Sequence, residues 1–348
     1  MLASAYRAKF PDLDVDTIHG AFLLFKPEQE TLELMMELDL IVIDEIGQLS
    51  QYTFERLMRL WHAAEKRPAL IFVGDFCQLR GVDPTRANDS PMWRIVDPFE
   101  LKTMRRCKCE DLKWKLELLR TAKPSVRQLK SIKRGHKAPS HQRRGAYHMS
   151  SEPTFDHISA ILEETPQTTF LTITRASSAK LNAWALQHLF KDAHPIFTAP
   201  ADPEANPENY VGSAMHWYTP IALPIYIGAK VTLTKNLNKP GDFVNGMTGD
   251  ITEVTDSGII VKTASGKLVS VYPWTDPDTY ATFYPMRAGY ATTLHKVQGA
   301  TLAHATIWLD VPNVEAAGYV ALSRVQYDAD WRFIGDPTVH HFTPATGF

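Results

Sequence analysis

Residues 38–50 read LDLIVIDEIGQLS, and this stretch decides the fold. Its four consecutive apolar residues, 40–43, are typical of a strand buried on both faces of a parallel sheet. The strand runs directly into the acidic pair Asp44 and Glu45. In an open α/β sheet the carboxyl ends of the strands border the ligand crevice, where two adjacent carboxylates can hold Mg²⁺ and polarise a water molecule. The plainer alternative is that the pair only opens the next loop.

A helix and a second strand follow the acidic pair. Ser50 is suited to cap a helix whose apolar positions recur at i, i+3, i+4 and i+7, namely Phe54, Leu57, Met58 and Trp61. A second apolar strand is predicted at 69–73, so the segment forms a βαβ unit whose strands deliver polar residues to one edge. The next segment, GDFCQL, brings Gln78 close to the acidic pair, where its amide could sense a terminal phosphate or place a water molecule. The alternative is a turn with an incidental glutamine.

Length and composition fit a globular protein with more than one lobe. A chain of 348 residues with 44% apolar and 22% charged residues can bury two or three cores. It has no run of about 20 apolar residues, so we expect no membrane span. The amino terminus lacks the apolar core of a secretory signal, and three cysteines are too few for a disulfide framework. We therefore expect an intracellular protein.

Charge is unevenly distributed. The net charge of −2 argues against a uniformly basic nucleic-acid coat. Residues 123–144, however, contain eight Lys or Arg and two His without any acidic residue. This run could contact phosphates or form a solvated surface loop, and the sequence leaves both interpretations open. It follows a helical stretch predicted at 99–120.

The remaining segments predict further α/β structure with an antiparallel insertion. The amino-terminal part predicts a short helix at 1–9 and a strand that begins at residue 15 and enters a loop within 15–25. A new α/β unit is predicted from a strand at 170–174 and a helix at 176–190, and it closes with a strand at 306–310 and a helix over 320–324. Short β runs separated by turn residues predict a small antiparallel barrel, with strands at 230–233, 250–254, 258–262 and 267–271.

Seven motifs occur in order along the chain: TIHGAF (17–22), IVIDEIGQLS (41–50), LIFVGDFCQL (70–79), GAKVTLTKN (228–236), NGMTGDI (245–251), TTLHKVQGATL (292–302) and YVALSR (319–324). Together they closely resemble the PIF-type DNA helicases, a RecD-like branch of helicase superfamily one, over about residues 3–335. The resemblance implies an α/β fold with two RecA-like P-loop NTPase lobes that hold ATP between them, and a small SH3-like β-barrel inserted in the second lobe.

The resemblance also implies a division of the chain. We expect a first RecA-like lobe at 1–105 without its phosphate-loop strand, and a basic helical connector at 106–150. The second lobe would begin at 151–245 with an irregular insertion at 193–220. The barrel would occupy 246–288, and 289–348 would close the second lobe.

By resemblance, several residues receive roles in ATP hydrolysis. Asp44 would bind Mg²⁺ and Glu45 would activate the attacking water, while Gln78 would sense the γ-phosphate. Arg324 would be the arginine finger from the second lobe and Arg106 the family's other arginine. Further nucleotide contacts would come from Asp44, Gly74, Asp75 and Gly299. Phosphoryl transfer is catalysed mainly by positioning and charge neutralisation, which these groups can supply.

A second set of residues would line the DNA groove, with contacts mainly to the backbone: His19, Thr292, His295, Lys296 and Gln298. For each histidine the alternative is an ordinary loop residue. The resemblance implies a monomeric, ATP-dependent and Mg²⁺-dependent helicase that moves 5′ to 3′ on single-stranded DNA. It would act at duplex or G-quadruplex junctions in repair, recombination and genome maintenance. The compartment would be the nucleus or an organelle in a eukaryote, and the cytoplasm in a bacterium or phage.

One motif is missing from the pattern. The sequence contains no G-x-x-x-x-G-K-[ST], and its nearest approach, Gly266-Lys267, reads as a hairpin turn. We therefore expect an amino-terminally truncated chain, without the Walker A loop, that does not hydrolyse ATP efficiently by itself. Two other interpretations stay open: a nucleic-acid-binding module without catalysis, and translocation on RNA instead of DNA.

Overall fold

The computed structural model describes residues 2–22, 27–81, 83–138, 152–211 and 214–346. Its first lobe is built on a two-stranded parallel sheet, in which Leu40 pairs with Ala69 and Ile43 with Phe72. The helices and strands of this lobe are α1 (Leu2–Lys9), α2 (Ile18–Ala21), α3 (Glu28–Glu37), β1 (Leu40–Ile43), α4 (Gln51–Ala63) and β2 (Ala69–Phe72). The predicted βαβ unit is confirmed.

Helix α4 begins and packs as the sequence pattern predicts. The Ser50 hydroxyl accepts a hydrogen bond from the Thr53 backbone N–H at 3.2 Å, which satisfies one free amide of the first turn. The apolar stripe of the helix is buried in the core of the first lobe, with Phe54 and Leu57 fully enclosed.

Two local predictions for the first lobe were wrong. Strand β1 is buried on one face only, because Leu40 and Val42 are 50% and 57% exposed whereas Ile41 is 6% exposed. Side chains alternate across a strand, and α4 packs against one face of the sheet. Residues 15–17 form no strand, and Thr17 instead caps α2 through a hydrogen bond from the Gly20 N–H at 3.2 Å. Residues 23–25 of that predicted segment lie outside the described residues.

The described part of the connector, 106–138, contains α5 (Glu110–Thr121) and α6 (Val126–Lys133). The predicted helix at 99–120 was wrong for its first half, because 99–109 form neither helix nor strand. Here the chain is tied to the second lobe, since the Lys108 N–H donates to the Gln326 carbonyl at 2.8 Å. Residues 139–144 of the basic run lie outside the described residues.

Beyond the connector, residues 152–211 and 214–346 form a parallel sheet, an antiparallel sheet and three short strand pairs. The elements are α7 (Phe155–Glu164), β3 (Thr169–Thr172), α8 (Arg175–Leu189), β4 (Phe197–Ala201), β5 (Tyr210–Val211), β6 (Ala214–Met215), β7 (Ile221–Ile225), β8 (Lys230–Leu233), β9 (Thr248–Val254), β10 (Ile259–Thr263), β11 (Leu268–Val271), β12 (Trp274–Thr275), β13 (Thr282–Phe283), β14 (Met286–Ala288), β15 (Ala291–Thr293), β16 (Ala305–Ile307), α9 (Ala317–Leu322) and β17 (Trp331–Phe333). None of the helices in the described ranges is long and apolar enough to cross a bilayer.

The second lobe is organised around the parallel sheet, whose strand order is β15-β3-β16-β17. The predicted strand and helix at 170–174 and 176–190 correspond to β3 and α8. Helix α8 starts at Thr174, whose hydroxyl accepts from the Ser177 N–H at 3.2 Å. Helices α5 and α6 bury apolar residues in the same core as β16, β17 and α9, so the connector packs with the second lobe.

The antiparallel insertion has the strand order β11-β10-β9-β8-β14. The four predicted short runs correspond to β8, β9, β10 and β11. The register shifts between Ile260 and Val261, where Thr252 of β9 is left without a partner, as in a bulge of β9. The segment 193–220, expected to be irregular, contains β4, β5 and β6 with two 3-10 turns between them, and β4 pairs with β7.

Candidate nucleotide and nucleic-acid site

The acidic pair lies at the carboxyl end of β1, where the chain turns sharply. Glu45 adopts a left-handed backbone conformation with φ 53° and ψ 41°, which in a non-glycine residue stores about 1–2 kcal/mol of strain. Asp44 stabilises the turn, since one of its oxygens accepts from the Glu45 N–H at 2.8 Å. Its other oxygen accepts from the Tyr6 hydroxyl at 2.7 Å. That bond is the main reason why the pKa of Tyr6 is raised to about 12.

The loops that follow β1 and β2 pack tightly against each other. The Ile46 N–H donates to the Val73 carbonyl at 2.9 Å. A Cβ added at Gly74 would lie 2.9 Å from the Ile46 nitrogen, closer than real Cβ contacts allow. Gly74 therefore permits the two loops to meet, and its direct contact with a nucleotide stays a prediction.

Gln78 lies in the loop after β2. Its backbone N–H donates to the Asp75 carbonyl at 3.1 Å. Its side-chain Oε1 is buried and has no hydrogen-bond partner among the described residues. Because a buried acceptor is stabilised only by a hydrogen-bond donor, this oxygen is suited to accept a hydrogen bond from a bound molecule, such as a water.

Two arginines approach the acidic pair from outside the first-lobe sheet. Arg106, in the connector, donates to the carbonyls of Ser323 and Gly299 at 3.2 and 3.1 Å. Arg324 follows α9 in the second lobe, is 1% exposed, and donates to the Val320 carbonyl at 3.0 Å. The structure thus brings both arginines close to Gly299, and their roles toward a nucleotide stay a prediction.

Electrostatics links these arginines to Glu45. Burial raises the pKa of the Glu45 carboxyl, and the neighbouring charge of Asp44 raises it further. Arg324 and Arg106 act in the opposite direction and lower it, so both cations lie within electrostatic reach of this carboxylate. Burial and repulsion by Arg106 lower the pKa of Arg324 to about 10. A half-buried base with a raised pKa therefore lies opposite two cations from the other side of the lobe junction.

Asp75 has a position that the sequence analysis did not foresee. Its Oδ1 accepts from Arg120 at 3.2 Å and from the Cys77 N–H at 2.9 Å, and its Oδ2 accepts from the Tyr319 hydroxyl at 3.1 Å. Arg120 lies on α5 and Tyr319 on α9. Asp75 therefore joins the first lobe to the connector and the second lobe, and its contact with a nucleotide stays a prediction. Tyr319 was missed although it opens the YVALSR motif.

The residues predicted to bind DNA fall into separate places. Thr292 is half-buried on β15, and a 3-10 turn at 294–297 then presents His295 and Lys296 at the surface of the second lobe. Gln298 instead reaches the first lobe, where its Nε2 donates to the Leu79 carbonyl at 3.2 Å. His19 is exposed on α2 in the first lobe. Three of the five positions therefore share one surface.

The residues at the end of β1 fit a magnesium ion that is shared with a nucleotide. Within the described ranges no cluster of three or more His, Cys, Asp or Glu is arranged to hold a metal ion. Magnesium in nucleotide sites uses one or two carboxylates and takes its other ligands from phosphate and water. Asp44 meets that requirement, and the unpaired Gln78 oxygen lies in the neighbouring loop.

Parallel sheets in two lobes, an acidic strand end and arginines from across the junction define the class of this protein: it has the RecA-like α/β architecture of P-loop NTPases. A family model described as an AAA domain matches residues 8–140. The ATP-dependent DNA helicase Pif1 of Bdellovibrio bacteriovorus is 33% identical over 158 residues, 38% of this chain and 35% of that protein. The PIF1 helicase of Rattus norvegicus is 26% identical over 319 residues, 86% of this chain and 47% of that protein.

A solved structure shares the fold. The Pif1 helicase from Bacteroides in complex with ADP-AlF3 and ssDNA superimposes with a TM-score of 0.63 at 18% identity, covering 91% of this chain and 75% of that one. Within the RecA-like class, this chain is similar in sequence and in fold to PIF1-type helicases, which confirms the resemblance drawn from its seven motifs. It spans less than half the length of the two curated relatives described above.

Proposed function

We propose that this chain acts as an ATP-dependent DNA helicase or translocase. The observation that carries the proposal is the position of Glu45, a half-buried carboxylate at a strand end that lies within electrostatic reach of Arg106 and Arg324. Catalysis of phosphoryl transfer needs two kinds of group. One positions the attacking water, and the other consists of cations that neutralise the developing charge. Both kinds of group are present at this junction.

The chain's own residues divide the work. Asp44 would hold Mg²⁺, which would neutralise phosphate charge when bound, and ATP would supply the phosphoryl group to be transferred. Glu45 would orient the attacking water and take its proton, a role that its raised pKa favours because the pKa of a general base is best placed near the working pH. Gln78 would accept a hydrogen bond from the same water through its unpaired Oε1, or donate one to a terminal phosphate oxygen through its amide N–H. Arg106 and Arg324 would stabilise negative charge, and so hydrolysis would depend on how closely the lobes approach.

On the nucleic-acid side, we propose that Thr292, His295 and Lys296 contact single-stranded DNA through its backbone, with His19 and Gln298 as further contacts. Movement from 5′ to 3′, action at duplex or G-quadruplex junctions, a role in repair and recombination, and a monomeric state belong to the same proposal. Its support is the sequence similarity to proteins named ATP-dependent DNA helicases. The structurally similar Bacteroides helicase was solved with ssDNA and ADP-AlF3.

A second candidate is a nucleic-acid-binding module that does not turn over ATP. The observation that favours it is the lack of a G-x-x-x-x-G-K-[ST] motif in the 348 residues. The backbone amides and lysine of that motif normally hold the phosphates.

The two candidates are separated by measuring ATP hydrolysis with and without oligo(dT), beside direct binding of the same oligonucleotide. The helicase predicts DNA-stimulated turnover that Glu45→Gln abolishes. Glu65→Gln is the matched control, because Glu65 is exposed on the surface of the first lobe, and it should leave turnover unchanged. DNA binding without turnover supports the binding module. Neither binding nor turnover would refute both.

A further inference from the structure

Five charged side chains meet on the second lobe, outside the junction that holds Glu45. They come from four places in the chain: the start of α8, the 3-10 turn at 203–205, strand β14 and the turn at 294–297. The cationic members are Arg175, Arg287 and Lys296, and the anionic members are Asp202 and Glu204. Of these, only Lys296 was expected to contact nucleic acid.

Glu204 lies between two of the cations. One carboxylate oxygen is 3.4 Å from Arg175 Nη1, and the other is 3.9 Å from Lys296 Nζ. The three side chains are 40%, 50% and 26% exposed respectively. The two carboxylate oxygens of Glu204 therefore face one cation each, at a position that solvent reaches. The two non-bridging oxygens of a phosphodiester could face the same two cations in the same way.

Beneath them, Arg287 is nearly buried and incompletely paired. It is 5% exposed, and its Nε has no hydrogen-bond partner within the part of the chain that the structure describes. Burial lowers the pKa of Arg287, and the negative charge of Asp202 is the main influence that opposes this lowering. The cluster has three cations and two carboxylates, so one positive charge has no matching negative charge. Around the buried Arg287 guanidinium, the exclusion of water strengthens charge interactions.

We propose that this cluster is a phosphate-binding pocket for the backbone of single-stranded nucleic acid, and that the Glu204 carboxylate fills it when nucleic acid is not bound. An incoming phosphodiester displaces Glu204 and binds between Arg175 and Lys296, with Arg287 supplying positive charge from below. This inference rests on the proposed nucleic-acid binding and deepens it. It adds Arg175 and Arg287 to the contact surface and makes Glu204 an intramolecular competitor.

If Glu204 competes with nucleic acid for these cations, removing its negative charge should raise the affinity for single-stranded DNA. Glu204→Gln keeps the size of the side chain but removes the charge that holds the two cations. A purely structural ion pair predicts the reverse, a loss of stability without any gain in binding. Glu208→Gln is the matched control, because Glu208 is an exposed acid four positions away whose charge contributes to the same long-range field.

The experiment is the fluorescence anisotropy of a labelled oligo(dT) titrated with each variant over a series of salt concentrations. Glu204→Gln should bind about fivefold more tightly at low salt, the effect of one close charge pair. Glu208→Gln should change affinity by less than about twofold. Arg175→Gln should weaken binding and lower the salt slope by about one, as loss of one phosphate contact does. Lys180→Gln, on the same helix, should keep the wild-type slope.

Melting curves and far-UV circular dichroism establish that each variant is folded. The inference is overturned if folded Glu204→Gln binds no more tightly than Glu208→Gln, whereas wild-type DNA binding would then still support the proposed function. If neither wild type nor Glu204→Gln binds oligo(dT), both proposals fall. If only Glu204→Gln binds, the competitor role stands. Inhibition by inorganic phosphate at matched ionic strength, stronger for Glu204→Gln than for wild type, supports a site for phosphate, and equal inhibition contradicts it.

Discussion

Replacing Asp328 with alanine should unfold the chain at a distinctly lower denaturant concentration. Asp328 accepts hydrogen bonds from Lys115 Nζ at 2.6 and 2.7 Å and from Trp331 Nε1 at 3.1 Å, and His136 Nε2 lies 3.0 Å from its carboxylate. The Lys115 side chain is only 5% exposed. Removing the carboxylate leaves this buried ammonium without its counter-charge. Removal of one partner of a buried ion pair costs about 3–5 kcal/mol, and we expect a loss in that range.

The measurement is urea unfolding followed by tryptophan fluorescence, with Asp330→Ala as the control. Asp330 lies in the same 3-10 turn as Asp328, and its replacement should change the free energy of unfolding by less than about 0.5 kcal/mol. The double variant Lys115→Met/Asp328→Ala should recover most of the loss, because it leaves no unpaired buried charge. A loss below about 1 kcal/mol for Asp328→Ala, or no recovery in the double variant, would refute the reasoning.

The pH dependence provides an independent check of the same pair. Burial alone would raise the pKa of Asp328, but the hydrogen bond from Lys115 and the neighbouring His136 lower it overall. The folded pKa therefore lies below the unfolded value of about 3.9. The stabilisation is present above the unfolded pKa and is lost as pH falls through the folded pKa. The difference in stability between wild type and Asp328→Ala should shrink only in acid, below about pH 4.

Two further outcomes are expected. Tyr319→Phe removes the hydroxyl that donates to Asp75 at 3.1 Å, and it should lower the free energy of unfolding by about 1.5–3 kcal/mol. Urea unfolding measures this loss, and Tyr327→Phe, at a 49% exposed position, should show almost none. Burial is the main reason why the pKa of Lys296 is lowered to about 8, so this residue is charged below that pH and loses its charge above it. Oligo(dT) affinity should therefore fall between about pH 7 and 9 in wild type but not in Lys296→Arg, whose side chain stays charged. A fall of equal size in both proteins would count against this role of Lys296.

The elements that could be predicted from sequence are those decided by local physics. The stripe of Phe54, Leu57 and their neighbours specifies α4 because helical spacing places them on one face, and Ser50 caps the helix through a bond to its own first turn. The exposure of Leu40 and Val42 could not be predicted in this way. An apolar run shows that both faces of a strand can be buried. Which of the two faces is buried depends on the segments that pack against the sheet, and these are distant in the sequence.

The same limit applies to the site. The position of Asp44 and Glu45 at a strand end follows from the sequence pattern, because the strand and the turn after it are contiguous. The approach of Arg324 was expected only through the resemblance to a helicase family, since nothing in the spacing along the chain requires it. Asp75 and Tyr319 are separated by 244 positions, and the contacts of Glu204 join three segments. Periodicity gives no information on pairs of this kind.

The loop after β2 shows what such long-range contacts do together. Besides the bonds of Asp75 to α5 and α9, the Leu79 carbonyl accepts from Gln48 of the first lobe at 2.9 Å and from Gln298 of the second at 3.2 Å.

Arg80 adds a third link, because it pairs with Glu315 of the second lobe at 3.2 Å. These contacts surround Gln78 in the sequence, and each ties its loop to another part of the molecule. A displacement of Gln78 by more than about 1 Å must therefore either break hydrogen bonds across the junction or move the second lobe with the loop. The position of the proposed phosphate sensor and the separation of the lobes are consequently coupled by these bonds, and the loss of a single bond, as in Tyr319→Phe, should weaken that coupling without abolishing it.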